Sequence, residues 1–253
     1  MPMVYVTGDC HGNYNRFRTK SFPEQKKMTR DDILIICGDF GIWHKTAEED
    51  WWLNWLNKKN FTTVFVDGNH ENFDRLYGDE FKIVDFHGAK AHKIRPHIFH
   101  IMRGEVFEIE GKKFWCFGGA KCHDIRDGIL DPADFSSIED LKFTANLWYR
   151  QGKIFRINHL SWWEQELPSQ EELDYGMAKL SENDNKIDYI ISHCAPQEIA
   201  LMLRFYDSDI LTQYFNTVAH TVQFDRWYFG HYHRNEDVFG KFVCLYEKIE
   251  RLI

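Results

Sequence analysis

The chain of 253 residues has little positive charge and no long hydrophobic run. Its 31 lysines and arginines are outnumbered by 39 aspartates and glutamates, which gives a formal net charge of −8. Such a chain lacks the basic footprint that attracts duplex nucleic acid or an anionic membrane. No uncharged stretch approaches the roughly 20 residues that span a bilayer. We therefore expect neither a membrane nor duplex nucleic acid as a partner.

Cysteine pairs at metal-binding spacing are also missing, since the six cysteines are dispersed and none belongs to a CxxC pair. A thiolate zinc site of the zinc-finger type is therefore not expected. The first ten residues, MPMVYVTGDC, lack the basic and apolar regions of a signal peptide. From these features we expect reduced thiols and a cytoplasmic location.

The chain contains no Ser/Gly linker, repeat or low-complexity segment, and its apolar segments are short. Continuous apolar character over so few residues is typical of strands buried on both faces. The segments are MVYVTGD, DDILIICGD, TTVFVDGNH, KFWCFGGA, IDYIISHCAP, RWYFGHYH and KFVCLYEKI. Residues 82–119 add further short strands, with a hairpin turn at EGKK. We predict a single α/β domain over residues 1–253, with a second half that is more antiparallel.

Helical patterns lie between these strands. The segment EEDWWLNWLNKKN begins with acids and ends with lysines, as expected for a helix docked on a sheet. Four large apolar residues are predicted to face the core from one side of this helix, namely Trp51, Trp52, Trp55 and Leu56. Stacking of this stripe on nucleobases is the alternative. Residues 14–31 have helical character broken at Pro23, and residues 131–186 are polar and mostly helical, with Ser169 as a helix cap.

Polar side chains follow five of the apolar runs, and in an open α/β sheet such groups collect at the carboxyl ends of the strands. They are Asp9 and His11, Asp39, Asn69 and His70, His193, and His231 and His233. Each residue alone has an ordinary explanation as a turn residue, a helix cap or a core histidine, but their co-occurrence favours one shared site. Carboxylate, imidazole and amide ligands suit divalent Mn, Fe, Zn, Ni or Co. Eight groups are too many for one tetrahedral ion and suit two ions, roughly 3.5 to 4 Å apart, that share a carboxylate.

The ordered set resembles the signature of the calcineurin-like metallophosphoesterase superfamily, which is D-x-H, GD, GNH-[DE], a lone histidine after a strand, and GHxH. All five parts are present in order as GDCHG, GDF, GNHE, SHCAP and GHYH, between residues 8 and 233. The resemblance implies an α/β fold, a four-layer α/β/β/α sandwich of two facing mixed sheets. It also implies a small phosphoester as substrate and two divalent metal ions as cofactors.

The resemblance further implies a role for each motif residue. The first ion would be held by Asp9, His11 and His233, and the second by Asn69, His193 and His231. The carboxylate of Asp39 would bridge both ions. His70 would stay off the metals and face the leaving-group oxygen, so that His70 and Asn69 are the expected catalytic residues.

The implied reaction is hydrolysis of a phosphomonoester or a phosphodiester by in-line attack of a metal-bridging hydroxide. Two divalent ions offset the charge of the phosphate and lower the pKa of a bridging water. His70 would meet the charge that develops on the departing oxygen. The acidic chain favours a small phosphate or a nucleotide over duplex nucleic acid. The choice between monoester and diester stays open.

Two alternatives remain. The protein Ser/Thr phosphatase branch has GDxVDRG where this chain has GDFGIWH, so Ile42 and Trp43 replace its second aspartate and its arginine. This departure disfavours a protein phosphatase and leaves His70 without an identified partner, although Asp67 and Glu71 are close in sequence. The other alternative is a non-catalytic metal-binding scaffold on the same fold, which the complete set of motif residues disfavours.

Two further segments have sequences that fit the wall of a substrate site. The glycine-led loop FGGAKCHDIRDG, residues 117–128, contains His123 and Arg126, which are candidate ligands for a phosphate oxygen. An ordinary polar loop is the alternative for this segment. INHLSWWEQELPS, residues 157–169, contains Trp162 and Trp163, for which packing is favoured over a role in the cleft.

Overall fold

Two mixed β-sheets lie face to face in the structure, a computed structural model that describes residues 2–253. The strands are β1 (Val4–Thr7), β2 (Ile33–Ile36), β3 (Thr62–Phe65), β4 (Lys82–Phe86), β5 (Ala89–Arg95), β6 (Ile98–Ile101), β7 (Val106–Ile109), β8 (Lys112–Phe117), β9 (Ile129–Leu130), β10 (Arg156–Ile157), β11 (Tyr189–Ser192), β12 (Arg226–Phe229), β13 (Glu236–Val238), β14 (Phe242–Cys244) and β15 (Ile249–Arg251). The α-helices are α1 (Ala47–Asn57), α2 (Phe73–Leu76), α3 (Ile138–Arg150), α4 (Gln170–Glu182), α5 (Gln197–Met202) and α6 (Ile210–Thr221).

Both sheets have four parallel strands at their centre. The first sheet has the order β15-β1-β2-β3-β6-β5-β4, with β1, β2, β3 and β6 parallel. The second has the order β13-β14-β12-β11-β8-β7, with β8, β11, β12 and β14 parallel. Strands β9 and β10 form a separate two-stranded sheet. Within residues 2–253, the antiparallel pairs all involve strands after β3, as predicted for the later part of the chain: β4–β5, β5–β6, β7–β8, β13–β14 and β1–β15. The centre of the second sheet is nevertheless parallel, because the helices that follow β8 and β11 return the chain for parallel pairing.

Alternation along the strands builds the layers of the sandwich. In β2, Ile33 and Ile35 face the core between the two sheets, while Leu34 and Ile36 face the outer layer that contains α1. Strand β11 divides in the same way, with Ile191 in the core between the sheets and Ile190 in the cluster with α4, α5 and α6. Strands that are buried on both faces require the continuous apolar runs seen in the sequence. The four-layer α/β/β/α prediction is confirmed.

Several predicted elements are confirmed with their local signals. The turn at EGKK joins β7 to β8, and Glu110 and Gly111 both have positive φ, as a two-residue hairpin requires. Ser169 caps α4 in a reciprocal capping box with Glu172. Residues 14–31 contain only two short 3-10 segments, the second of which begins at Pro23. Residues 131–186 contain α3 and α4, and the segment between these helices holds β10 and a short 3-10 helix, Glu164–Glu166.

Two predictions need correction. The aromatic stripe of α1 does not include Trp51, whose side chain is 55% exposed, whereas Leu53 and Leu56 are buried and Trp52 and Trp55 pack at the edge of the core. Neighbouring residues on a helix point about 100° apart, so Trp51 and Trp52 cannot share one buried line. The last apolar run is two strands, because β14 pairs with β12 in the second sheet and β15 pairs with β1 in the first.

Candidate metal centre

The five motifs meet at one end of the sandwich, beyond the carboxyl ends of β1, β2, β3, β11 and β12. The first three strands belong to one sheet and the last two to the other, so the site lies where the rims of both sheets come together. Donor atoms lie within 4.8 Å of one another in three groups: Asp9, His11 and His233; Asp9, Asp39 and His193; and His11, Asp39 and His70.

Asp9, His11 and His233 form the more open of these groups. The Nε2 atom of His233 lies 3.1 Å from Oδ2 of Asp9 and 3.2 Å from Nε2 of His11. Atoms bound to one ion at about 2.0 to 2.2 Å are spaced by roughly 3 to 3.5 Å from each other, so these distances fit ligands of a shared cation. Asp9 is fully buried, while 34% of the His11 side chain and 50% of the His233 side chain are exposed. Solvent therefore reaches this group from the histidine side.

Asp39 lies between this open group and a buried one. Its Oδ2 atom is 3.7 Å from Nδ1 of His11, and its Oδ1 atom is 3.3 Å from Nε2 of His193. The same His193 nitrogen lies 3.3 Å from Oδ1 of Asn69. The two oxygens of Asp39 thus face two different sets of donors.

Hydrogen bonds to the backbone orient the buried donors. Nδ1 of His193 lies 2.8 Å from the carbonyl oxygen of Cys37, so Nδ1 carries the proton and Nε2 is left to face Asp39. The backbone N–H of His231 donates to Oδ1 of Asp9 at 2.9 Å, and the ring of His231 is centred 5.0 Å from that of His193. Partners of this kind, behind the ligands, are typical of metal sites.

The backbone is strained at four of the candidate ligands. His11, Asp39, His231 and His233 have φ values of 49°, 47°, 67° and 50°, in the left-handed region that residues with a Cβ rarely adopt. Such strain concentrates at functional sites, where the surrounding structure enforces it. Here it turns the side chains of three separate loops, those after β1, β2 and β12, toward a common point.

The glycines that precede three of the motif residues leave room for ligands from other strands. A Cβ on Gly68 would lie 2.0 Å from Oδ1 of Asp39, and a Cβ on Gly230 would lie 2.0 Å from Oδ1 of Asp9. A Cβ on Gly38 would lie 2.1 Å from Nδ1 of His193. The glycines of GD, GNH and GH are therefore explained by close packing within the centre.

The electrostatics fit a cation. Burial opposes ionisation of Asp39, but the nearby His193, His70 and His11 hold the pKa of this carboxyl well below its usual range. Burial also opposes a charged His193, yet Asp39 and Asp9 raise the pKa of His193 to about 10. Burial and the neighbouring His193 lower the pKa of His231 well below its ordinary value. Two buried carboxylates surrounded by imidazoles form a donor set suited to borderline divalent ions.

His70 lies at the edge of the centre. Its backbone N–H donates to Oδ1 of Asp39 at 2.8 Å, and its ring is centred 5.2 Å from that of His11. Burial lowers the pKa of His70, while the Asp39 carboxylate opposes this shift. Within residues 2–253, no side chain is hydrogen-bonded to the His70 ring, so neither Asp67 nor Glu71 orients it.

Asp67 and Glu71 instead support the loops that hold the candidate ligands. The Glu71 carboxylate accepts hydrogen bonds from the backbone N–H groups of Phe40 at 2.6 Å and Ile42 at 2.8 Å, and so holds the loop after Asp39. Asp67 is buried and accepts from Nε of Arg103 at 2.9 Å, while His100 Nε2 lies 3.1 Å from its other oxygen. Sequence reasoning missed Arg103, because the local sequence around it carries no motif.

The glycine-led loop brings one of its two predicted residues to the centre. Nε2 of His123 lies 2.9 Å from Nε2 of His231, so His123 borders the buried group. The Arg126 side chain is 68% exposed and pairs with the neighbouring Asp127 at 3.3 Å. Of the two tryptophans in residues 157–169, Trp163 is fully buried and donates from Nε1 to Asp74 at 2.8 Å. Its ring also packs edge-to-face on Trp43, with centroids 5.6 Å apart.

The fold and this geometry define an α/β sandwich protein with a candidate centre for divalent metal ions at the strand ends of both sheets. A family profile described as calcineurin-like phosphoesterase matches residues 2–235, and the chain belongs to that family. The family is one of metallophosphoesterases.

The chain is also similar to named proteins and to a solved structure. The chain is 24% identical over 176 residues to lariat debranching enzyme A of Xenopus laevis and 23% identical over 176 residues to lariat debranching enzyme of Gallus gallus. Each alignment covers 62% of this chain but only 30% of the relative. A crystal structure of a protein of unknown function from Aquifex aeolicus aligns with a TM-score of 0.27 and 16% identity, over 65% of this chain and 82% of that one. None of the helices in residues 2–253 has the length and apolar character needed to cross a membrane.

Proposed function

We propose that the protein is a dinuclear metal-dependent phosphoesterase that hydrolyses a small phosphomonoester or phosphodiester. The observation that carries this proposal is the position of Asp39, whose two carboxylate oxygens face His11 on one side and His193 on the other. A carboxylate shared between two donor sets is what a pair of ions requires.

The assignment of ligands follows from this arrangement. One ion would be held by Asp9, His11 and His233, and the other by Asn69, His193 and His231. Asp39 would lie between the two ions. When bound, such ions offset the negative charge of a phosphate and lower the pKa of a bound water. Two hydrogen bonds would keep the donors in place during turnover. The backbone N–H of His231 donates to Asp9, and the His193 ring donates to the carbonyl oxygen of Cys37.

His70 and Asn69 are the proposed catalytic residues. The His70 ring is neutral near pH 7, because burial lowers its pKa, and it would donate one N–H to the departing oxygen. Asn69 would act through its amide, with Oδ1 toward the metal and the NH2 group free for a phosphate oxygen. His123, beside His231, is positioned to contact substrate, and the assignment of Arg126 to substrate binding stays a prediction.

The alternatives are less well supported. A protein Ser/Thr phosphatase would be expected to carry acid and arginine side chains where this chain has Ile42, which is buried, and Trp43. A non-catalytic metal-binding scaffold would need the seven proposed ligands but not His70, which lies outside the ligand sets. The two relatives are named as lariat debranching enzymes. An identity of 24% does not assign a lariat substrate to this chain.

A loading experiment tests the proposal. Metal-free protein is supplied with Mn, Zn, Ni or Mg and assayed with 4-nitrophenyl phosphate and bis(4-nitrophenyl) phosphate, and bound metal is measured by mass spectrometry. We expect two ions per chain and turnover of at least one ester. Asp39→Asn should lose bound metal, whereas His220→Ala, which alters a surface histidine paired with Glu198, should not. An Asp39→Asn protein that still holds two ions would refute the bridging role.

A further inference from the structure

A cavity of about 360 Å³ opens beside the candidate metal centre, and His11 and His70 form part of its lining. Its aromatic walls are Tyr14, Trp43 and Trp52. The volume lies within the range of about 300 to 1,000 Å³ that is typical of small-ligand sites. Because His70 is the residue proposed to face the departing oxygen, the group attached to that oxygen would enter this cavity.

Trp43 is held in place through both its backbone and its ring. Its backbone N–H donates to Glu49 at 2.8 Å, and its carbonyl oxygen accepts from Nδ2 of Asn72 at 3.0 Å. Its ring packs edge-to-face on the buried Trp163 and is centred 6.1 Å from the His70 ring. An aromatic face that is already fixed loses little conformational freedom when a planar ligand stacks on it.

The charge of the lining restricts the ligand. Among the described residues, no lysine or arginine lines the cavity, while Glu48 and Glu49 both do. Glu49 is neutralised by Arg75 at 2.8 Å, and Glu48 is exposed. A second phosphate would therefore meet no cation there, and an uncharged group is favoured.

The rim favours a ring with polar edges over a plain hydrocarbon. His44 and Thr46 lie at the exposed side of the lining and present hydrogen-bonding groups beside the aromatic walls. A planar heterocycle joined to a sugar would use both the aromatic faces and these polar groups.

We propose that this cavity binds the uncharged nucleoside of a nucleotide substrate, with its base against Trp43. The assignment rests on the proposed phosphoesterase function and specifies its substrate class. Stacking on an aromatic side chain is available to every base, so the proposal does not select one base over another.

Nucleoside binding measured by calorimetry tests the cavity without turnover. Adenosine, guanosine, cytidine and uridine are compared with ribose and with benzyl alcohol. We expect at least one nucleoside to bind more tightly than both comparison compounds. Trp43→Leu should weaken that binding by about 10-fold, because the variant removes the aromatic face on which the base would stack. Trp43→Phe should keep most of the affinity, and Tyr149→Leu, which alters an exposed aromatic residue outside the cavity lining, should leave it unchanged.

Three results would overturn the inference: no nucleoside binds, benzyl alcohol binds as tightly as the nucleosides, or Trp43→Leu leaves the affinity unchanged. A kinetic comparison separates this inference from the proposed function. AMP and ribose 5-phosphate are compared as inhibitors of 4-nitrophenyl ester hydrolysis, and AMP should inhibit at a lower concentration only when Trp43 is present. Equal inhibition in an active enzyme refutes the cavity assignment alone. Absence of any ester hydrolysis refutes the proposed function, while nucleoside binding still tests the cavity.

Discussion

At the residue level, the backbone N–H of His70 donates to the side chain of Asp39, yet substitutions of the two residues are expected to have different effects. His70→Ala should keep both metal ions, since the ring is outside the two proposed ligand sets. It should lower kcat by about 10²- to 10⁴-fold, the usual contribution of a positioned acid or hydrogen-bond donor. Metal content and kcat measured on the same sample check this, with His220→Ala as the control. Full activity in His70→Ala would remove the proposed role.

His193 predicts a proton release that accompanies metal binding. Burial disfavours the charged ring, but Asp39 raises its pKa to about 10, so His193 is protonated near pH 7 in the metal-free protein. A ligand nitrogen must be unprotonated, so metal binding should release this proton, and affinity should rise with pH up to about 10. Calorimetry in buffers of different ionisation enthalpy counts the protons released. A count of zero at pH 7 would contradict the assignment.

The same shift affects the stability of the metal-free protein. A pKa raised from 6.5 in the unfolded chain to about 10 in the folded one means that protonated His193 stabilises the fold fully below pH 6.5. This contribution is lost as the pH rises through about 10, whereas the metal-loaded protein should lack this particular loss. Urea unfolding of both forms between pH 6 and pH 10 measures the difference, and the same pH dependence in both forms would contradict this role of His193.

At the level of elements, the loop between β3 and α2 packs directly against Asp39, the ligand that follows the neighbouring strand β2. Gly68→Ala would place a Cβ 2.0 Å from Oδ1 of Asp39, so we expect weakened metal binding. Gly88→Ala is the matched control, because no atom lies within 4 Å of its added Cβ and the cost there is limited to its positive φ. Titration with Mn compares the two variants. Equal metal affinities in both would show that Gly68 is not needed for packing at the centre.

The loop from β6 to β7 crosses between the sheets and carries Arg103, which ties β3 to the segment before α4. Its guanidinium contacts Asp67, and Nη2 also donates to the carbonyl oxygen of Gln165 at 2.7 Å. Arg103→Met would leave Asp67 without its buried partner and should cost about 3 to 5 kcal/mol in the free energy of unfolding. Arg126→Met breaks an exposed pair of the same type and should cost less than about 1 kcal/mol. Urea unfolding of the two variants measures both losses in the free energy of unfolding. Similar losses would contradict the structural role given to Arg103.

The sequence could predict the motif loops, but not the contacts and strand pairings between distant segments. The motif loops were predictable because each follows a short apolar strand, and parallel strands bring their carboxyl ends to one rim. The Asp67–Arg103 contact joins residues 36 positions apart with no local pattern, so only the folded chain reveals it. The division of KFVCLYEKI into β14 and β15 depends on distant pairing partners in two sheets, which the run itself does not encode.

At the level of the whole molecule, the candidate centre requires both sheets. Asp9, Asp39 and Asn69 come from the loops of the first sheet, and His193 and His231 come from the second. We therefore propose that residues 1–253 act as one unit, because separating the sheets would divide the ligands. The sequence predicted this convergence in outline, but the aromatic cavity beside His70 depends on packing between Trp43 and Trp163, which are 120 residues apart in the chain.

The most direct test of the dinuclear centre is anomalous X-ray diffraction from crystals of the protein loaded with Mn. We expect two anomalous peaks roughly 3.5 to 4 Å apart, one beside Asp9, His11 and His233 and the other beside Asn69, His193 and His231, with Asp39 between them. A single peak, peaks remote from Asp39, or no peak in a well-folded loaded crystal would contradict it.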